Sequence, residues 1–182
     1  HFDKIILKIE KQLMLVKHEL FNDYNWYLVQ GPYLVDNDTT RRTWSYEVKP
    51  GEWAFDEPKK LISDLFYNEI FKKFDSKNVY VIGFSLGALV CYEIICSLNQ
   101  PLGAIFPISG FISNEIVLDD AQKETPIIIG HGTNDQIVPF ERSKESYNIL
   151  KEQNANVKLM KYDSQHNIPI KMLTKISQTI EK

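Results

Sequence analysis

Residues 79–93 read Val79-Tyr80-Val81-Ile82-Gly83-Phe84-Ser85-Leu86-Gly87-Ala88-Leu89-Val90-Cys91-Tyr92-Glu93. A β-branched apolar run is followed by a Gly-x-Ser-x-Gly turn and then by an apolar stretch with helical spacing. This is the strand, sharp turn and helix of a nucleophile elbow. Gly83 and Gly87 carry no side chains, so the strand and the helix can close on each other around Ser85. A serine hydroxyl is a poor nucleophile at neutral pH. It becomes useful on such a turn, clear of a sheet, where a histidine reaches it. The backbone N–H of Leu86 then points into the space where an oxyanion forms. Residues 79–98 approach the length of a membrane span, but Glu93, two glycines and Ser85 interrupt it, and residues 79–82 have strand character.

Two later segments supply what an activated serine needs. Ile127 to Ile129 reads as a short buried strand, and residues 130–139 read as the loop at its end, with Asp135 inside it. Residues 157–162 alternate as a strand and lead into Asp163-Ser164-Gln165-His166. Serine, aspartate and histidine thus follow one another in the chain, each just past a predicted strand. In an open parallel sheet the carboxyl ends of the strands share one edge, so three distant residues can meet there. Asn134, Asp119 and Asp120 compete with Asp135; Asp135 itself could merely cap or turn the chain before the next helix. Asp120 falls in a polar stretch that reads as exposed. His131 competes with His166, while His18 sits where a helix-end cation is the ordinary explanation.

The rest of the chain alternates helix and strand, without repeats or low-complexity tracts. Ile5, Ile9, Leu13, Val16 and Leu20 predict an opening helix with Asp3 as its N-cap. Residues 26–29 predict a short buried strand stopped by Gly31-Pro32. Residues 36–57 show no clear period and read as a long loop, of the kind that is usually functional or mobile. Asp56-Glu57-Pro58 starts a helix with Leu61, Ile62, Leu65, Phe66, Ile70 and Phe74 facing inward. Residues 103–108 form another short strand, 141–153 a helix whose Lys- and Glu-rich face is solvated, 157–162 the last strand, and 168–180 the closing helix. Such alternation implies a parallel sheet with right-handed crossovers, with residues 1–182 forming one domain.

The Ser, Asp, His order is that of α/β-hydrolases. Three blocks make the chain resemble the phospholipase/carboxylesterase group of that fold, which includes the acyl-protein thioesterases. They are residues 83–88, residues 131–139 and His166 after the last strand. A weaker block is Gly31-Pro32-Tyr33 with Arg42-Thr43-Trp44-Ser45-Tyr46. The resemblance implies a mostly parallel sheet with helices on both faces, in three layers, and a serine esterase or thioesterase with Ser85 as nucleophile, His166 as base and Asp135 as its orienting carboxylate. It implies a structural role for His131.

Two departures stand out. Leu86 occupies a position that is usually Gln in the thioesterases. The family also begins with a hydrophobic strand ending in His-Gly and a glycine-rich loop that supplies a second oxyanion donor. Here the chain opens at His1-Phe2-Asp3-Lys4-Ile5, which reads as the first helix. That strand and loop are therefore expected upstream of His1, failing which a segment within 31–46, around Gly31, would supply the donor.

Composition bounds the partners. A chain of 182 residues with 43% hydrophobic content builds one substantial core. A net charge of −3 without a basic block argues against nucleic acid. No Cys/His spacing suggests a metal, and no glycine-rich phosphate loop suggests a nucleotide, so no cofactor is expected. Cys91 and Cys96, five apart on one predicted helix, read as buried free thiols of a reducing, cytoplasmic protein. The substrate class expected is a small or single-chain acyl ester or thioester, with no stable membrane insertion. The stretch between Ser109 and Thr125 is too short for an obvious lid. Trp44, Tyr46 and Phe111 either line an acyl or leaving-group pocket or simply pin their loops down.

Overall fold

The structure is a computed structural model that describes residues 5–9, 24–36 and 38–181. Its centre is a six-stranded, all-parallel sheet. The strands are β1 (Ile5–Ile9), β2 (Asn25–Val29), β7 (Val79–Phe84), β8 (Ala104–Ile108), β9 (Ile127–Gly132) and β10 (Val157–Tyr162). They lie in the order β10-β9-β8-β7-β1-β2. Between β2 and β7 come two small antiparallel pairs, β3 (Tyr33–Val35) with β4 (Asp38–Thr43) and β5 (Glu47–Lys49) with β6 (Glu52–Trp53). The helices are α1 (Asp56–Leu65), α2 (Phe71–Lys73), α3 (Leu86–Glu93), α4 (Phe140–Glu152) and α5 (Ile170–Ile180). A π-helical turn, Phe66–Ile70, joins α1 to α2 and keeps Phe66 and Ile70 buried.

Period-two alternation along the strands builds two cores. Val79, Val81, Ile105, Ile127 and Ile129 pack with Phe66, Ile70, Val90, Tyr92 and Leu150 of the α1, α3 and α4 side. Tyr80, Ile82, Phe84, Ala104, Phe106 and Ile128 pack with Met172, Leu173, Ile176 and Ile180 of α5. Successive strand side chains point to opposite faces, so the two clusters lie on opposite sides of the sheet and the architecture has three layers. The strands covered on both sides, β7, β8 and β9, are the ones that read as continuous apolar runs.

Several expectations need correction. Ile5 and Ile9 belong to a strand, not to an opening helix; Asp3, Leu13, Val16, His18 and Leu20 lie outside the described residues. β1 pairs with β7 from Ile5 opposite Val79 to Ile9 opposite Gly83, and with β2 on its other side. The strand expected upstream of His1 therefore has its place beside β7 filled by Ile5–Ile9. A short β-branched run suits helix and strand periods alike, and pairing partners decide between them. Residues 36–57 are no structureless loop, since β4, β5 and β6 fall within them. Charged and Thr-rich hairpins escape an apolar-period reading because they carry few apolar residues at a regular spacing. The strand at 26–29 is a sheet edge with Leu28 exposed, not a buried strand, and Leu61 of α1 is exposed as well. β9 continues through His131 and Gly132, which places His131 inside the sheet rather than in a loop. Cys91 lies on α3 and Cys96 on a separate 3-10 turn; both are buried and free.

Phe106 is fully buried in the α5-side core. Truncating it to alanine removes a large apolar side chain that its close-packed neighbours cannot replace. Phe106→Ala is expected to lower stability by about 3–5 kcal/mol, read as a lower urea midpoint with an unchanged slope.

Candidate active site

The elbow forms because β7 must hand the chain to α3 within a single residue. Ser85 is that residue, at φ 54° and ψ −118°, a backbone conformation uncommon for a side-chain-bearing residue. Such strain persists only where the surroundings over-determine it. Its N–H donates to the Ile108 carbonyl of the next strand at 2.9 Å, and its carbonyl accepts from the Ala88 N–H at 2.9 Å. A Cβ at Gly83 would collide with the Gly87 carbonyl and with the Cys91 sulfur. Gly110, past the end of β8, faces Ala88 and the Ser85 carbonyl in the same close manner. Glycine at these positions is thus what lets helix, strand and turn meet. Leu86 opens α3, so its N–H has no carbonyl one turn earlier to bond and points out of the helix N-terminus.

His166 reaches Ser85 from beyond β10. Its Nε2 lies 3.0 Å from Ser85 Oγ, and its Nδ1 lies 2.8 Å from Asp135 Oδ2. The ring also stacks at a tilt on Phe84, with centroids 4.8 Å apart. Two loops have to be stitched together to achieve this. The Thr133 N–H donates to Tyr162 O at 2.8 Å, the Asn134 N–H to Ser164 O at 3.0 Å, and Asn134 Nδ2 to Asp163 Oδ1 at 2.7 Å. Gly132 leaves no room for a side chain against the Ser164 and Gln165 carbonyls, so the Asp and His loops lie in direct contact.

Asp135 has a fully buried side chain. Its Oδ1 accepts from the N–H groups of Ile137 and Val138, both at 2.9 Å, and its Oδ2 faces His166. Burial pushes the carboxyl pKa up, but the Val138 N–H, the His166 ring and the Ile137 N–H together outweigh it and hold the group below the usual aspartate value. The rival acids lie elsewhere. Asp119 caps a short 3-10 turn through the Ala121 N–H, and Asp120 pairs at the surface with Lys123. His131 is buried in β9, with Nε2 2.9 Å from the Val138 carbonyl and Nδ1 2.5 Å from Ser143 Oγ. It makes no contact with Ser85 among these bonds.

A cavity of about 140 Å³ opens beside Leu86. Val29, Gly31, Arg42, Thr43 and Trp44 supply its walls, which brings the end of β2 and the β4 strand to the elbow. Trp44 is buried and belongs to the α3-side core as well as to this wall. Tyr46 is half exposed, packs edge-on against Tyr33 and lines a separate groove with Trp53, Phe55 and Glu93. Phe111 packs against the α3-side core, with the Arg142 guanidinium 3.9 Å above its ring. Of these wall residues Val29 was not named from sequence, whereas Arg42 and Thr43 were named only within the weaker block that runs to Tyr46. Residues 10–23, which follow β1, lie outside the described residues.

Neither thiol competes with Ser85. Burial, with Glu93 nearby, pushes Cys96 up to about 12, and burial with Cys96 nearby holds Cys91 well above the ordinary thiol value. Thiolates are therefore scarce at neutral pH. Among the described residues no cluster of His, Cys, Asp and Glu could hold a metal ion, and no helix is long and apolar enough to cross a membrane.

Comparisons with known proteins bear on this arrangement. The sequence profile of the phospholipase/carboxylesterase family matches residues 41–182. The chain is 31% identical over 136 residues to an acyl-protein thioesterase 1 homolog of Dictyostelium discoideum, covering 70% of this chain and 60% of that protein. It is 27% identical over 131 residues to carboxylesterase SOBER1 of Arabidopsis thaliana, covering 69% of this chain and 58% of that one. It thus spans about 60% of the length of these curated relatives. The crystal structure of SOBER1 superposes with a TM-score of 0.81 at 22% identity, over 98% of this chain and 97% of that one. A Bacillus cereus carboxylesterase does so with a TM-score of 0.76 at 20% identity, over 99% and 88%. The fold is that of the α/β-hydrolases.

Asp135 also sets an acid limit on stability. A carboxylate whose folded pKa lies below its unfolded value adds stability that is fully present above about pH 4 and lost as pH falls through the folded value. Urea midpoints are expected to drop as pH is lowered from about 4 toward 2. In Asp135→Asn that drop is expected to be smaller, so the gap to the parent narrows in acid.

Proposed function

The chain belongs to the phospholipase/carboxylesterase family, and from that premise we propose that it hydrolyses carboxylic esters or thioesters of small acyl substrates through an acyl-enzyme on Ser85. The observation that carries this reading is the unbroken chain Ser85 Oγ to His166 Nε2 at 3.0 Å and His166 Nδ1 to Asp135 Oδ2 at 2.8 Å. Ser85 Oγ attacks the carbonyl carbon while His166 Nε2 takes its proton. Asp135 accepts from the Nδ1–H, holds the ring in the tautomer that leaves Nε2 free, and stabilises the imidazolium that forms. The Leu86 N–H faces the oxyanion of the tetrahedral intermediate. His166 then passes the proton to the departing alcohol or thiol, and a water repeats the sequence to release the acid. These steps call on no cofactor or metal.

Cavity size supports a short acyl group. An apolar cavity of about 150 Å³ holds a benzene-sized guest, so the roughly 140 Å³ beside Leu86 suits an acyl chain of about six carbons or fewer. The printed names of the curated relatives, an acyl-protein thioesterase and a carboxylesterase, support ester or thioester cleavage. Two free thiols support a reducing, cytoplasmic setting.

A fluorophosphonate probe is expected to label the protein at Ser85, and Ser85→Ala is expected to abolish the label and to lower p-nitrophenyl ester turnover about a thousandfold or more. Undiminished labelling of that variant would assign the nucleophile elsewhere, and absence of both label and turnover would leave a binding module on the same fold. Turnover of p-nitroanilides matching that of the esters would mark an amidase instead. The ester rate is expected to rise with pH as His166 loses its ring proton and then to level off.

Across p-nitrophenyl esters of increasing acyl length, kcat/KM is expected to fall beyond about six carbons. Trp44→Ala, which enlarges the cavity wall, is expected to move that limit to longer chains. An unchanged length profile would remove the cavity from the acyl path.

A further inference from the structure

Asp135 Oδ2 lies between two histidines. His166 Nδ1 is 2.8 Å away, and His131 Nε2 is 3.3 Å away on the other side. The His131 side chain is fully buried, between β9 and α4, and every polar atom it meets has a defined role. The Val138 carbonyl, 2.9 Å from Nε2, can only accept. The Gly110 carbonyl, 2.7 Å from Ser143 Oγ, can only accept as well. Ser143 has one hydroxyl proton, and the Gly110 carbonyl takes it. The same Oγ lies 2.5 Å from His131 Nδ1 and must therefore accept there. Both ring nitrogens consequently face acceptors and both need protons. A neutral ring would turn the Ser143 proton toward Nδ1 and set two oxygen lone pairs against each other at Gly110.

We infer that His131 is a doubly protonated positioning residue that clamps the Asp135 carboxylate, extending the reacting chain to Ser85–His166–Asp135–His131. A buried cation is costly to desolvate, and here Asp135, the Val138 carbonyl and Ser143 Oγ offset that cost. The clamp does two things. It fixes the Oδ2 atom that orients His166, since the Ile137 and Val138 N–H groups hold only Oδ1. It also sets a second positive charge against the carboxylate that His166 faces. Other charges are turned away from the ring. On α4, which packs Phe140 edge-on against it, Glu141 and Arg142 are exposed; on β10 the paired Lys161 is exposed, and Asp163 is bonded to Asn134.

The inference rests on the reading of Ser85, His166 and Asp135 as the reacting chain, and two measurements separate the failure of one from that of the other. Ring-nitrogen NMR of the native protein at about pH 8 is expected to show two N–H signals for His131, assigned by their loss in His131→Gln. A bare ring nitrogen on His131 in the folded protein would overturn the inference whatever the enzyme does. In Ser143→Ala, which removes the Nδ1 acceptor without touching the triad, and in His131→Gln, the acid limb of the kcat/KM profile is expected to move about half a pH unit or more toward alkaline pH, with kcat lowered and KM little changed. Profiles of both variants that superpose on the parent would overturn it. If the parent takes no fluorophosphonate label and turns over no ester, the proposed reaction fails, while the NMR result still decides the state of His131.

Discussion

One residue has to carry the chain from the central strand into a helix, and the architecture around Ser85 follows from that constraint. At φ 54° the serine stands proud of the sheet edge, with its amide tied to β8 and its carbonyl tied into α3. Glycines at 83 and 110 remove the side chains that would hold these elements apart. The strain is confined by covering strands β7 and β8 on both faces, since a close-packed interior leaves the turn no other place to relax.

The histidine and the aspartate come from two neighbouring loops, past β10 and past β9. What fixes them is mutual bonding, Thr133 and Asn134 to the backbone beyond β10 and Asn134 to Asp163. The Asp135 carboxylate then acts as a hub. Its buried side chain accepts from two backbone N–H groups and faces the His166 ring, with His131 Nε2 3.3 Å away, and buried hydrogen bonds are electrostatically stronger than in water. The carboxylate facing His166 is thus already in place.

Loop-borne walls complete the site from the other side of the elbow. The end of β2 and the β3–β4 pair bring Gly31, Arg42 and Trp44 to Leu86 and wall the cavity. Functional residues on loops held by a rigid sheet are the general pattern for α/β enzymes.

Much of this was legible in the residues, for reasons that differ from element to element. β7, β8, β9, α4, β10 and α5 are found within two or three residues of their expected positions, because β-branched runs, helical apolar spacing and glycine breaks are local signals. That Ser85, Asp135 and His166 meet was legible because an open parallel sheet gathers strand ends at one edge. Ile5–Ile9 was misread because its five residues fit either period, and only pairing between β7 and β2 makes it a strand. The two hairpins within 33–53 were missed because each strand's partner lies across a turn and no regular apolar spacing marks them. Residue type and local spacing thus determined most of the central strands and the helices that flank them, and which side chains gather at the sheet edge. Which strand lies beside the elbow, which loop walls the cavity and which second histidine shares the Asp135 carboxylate were decided by tertiary structure alone, because each depends on contacts between residues that neither spacing nor composition relates.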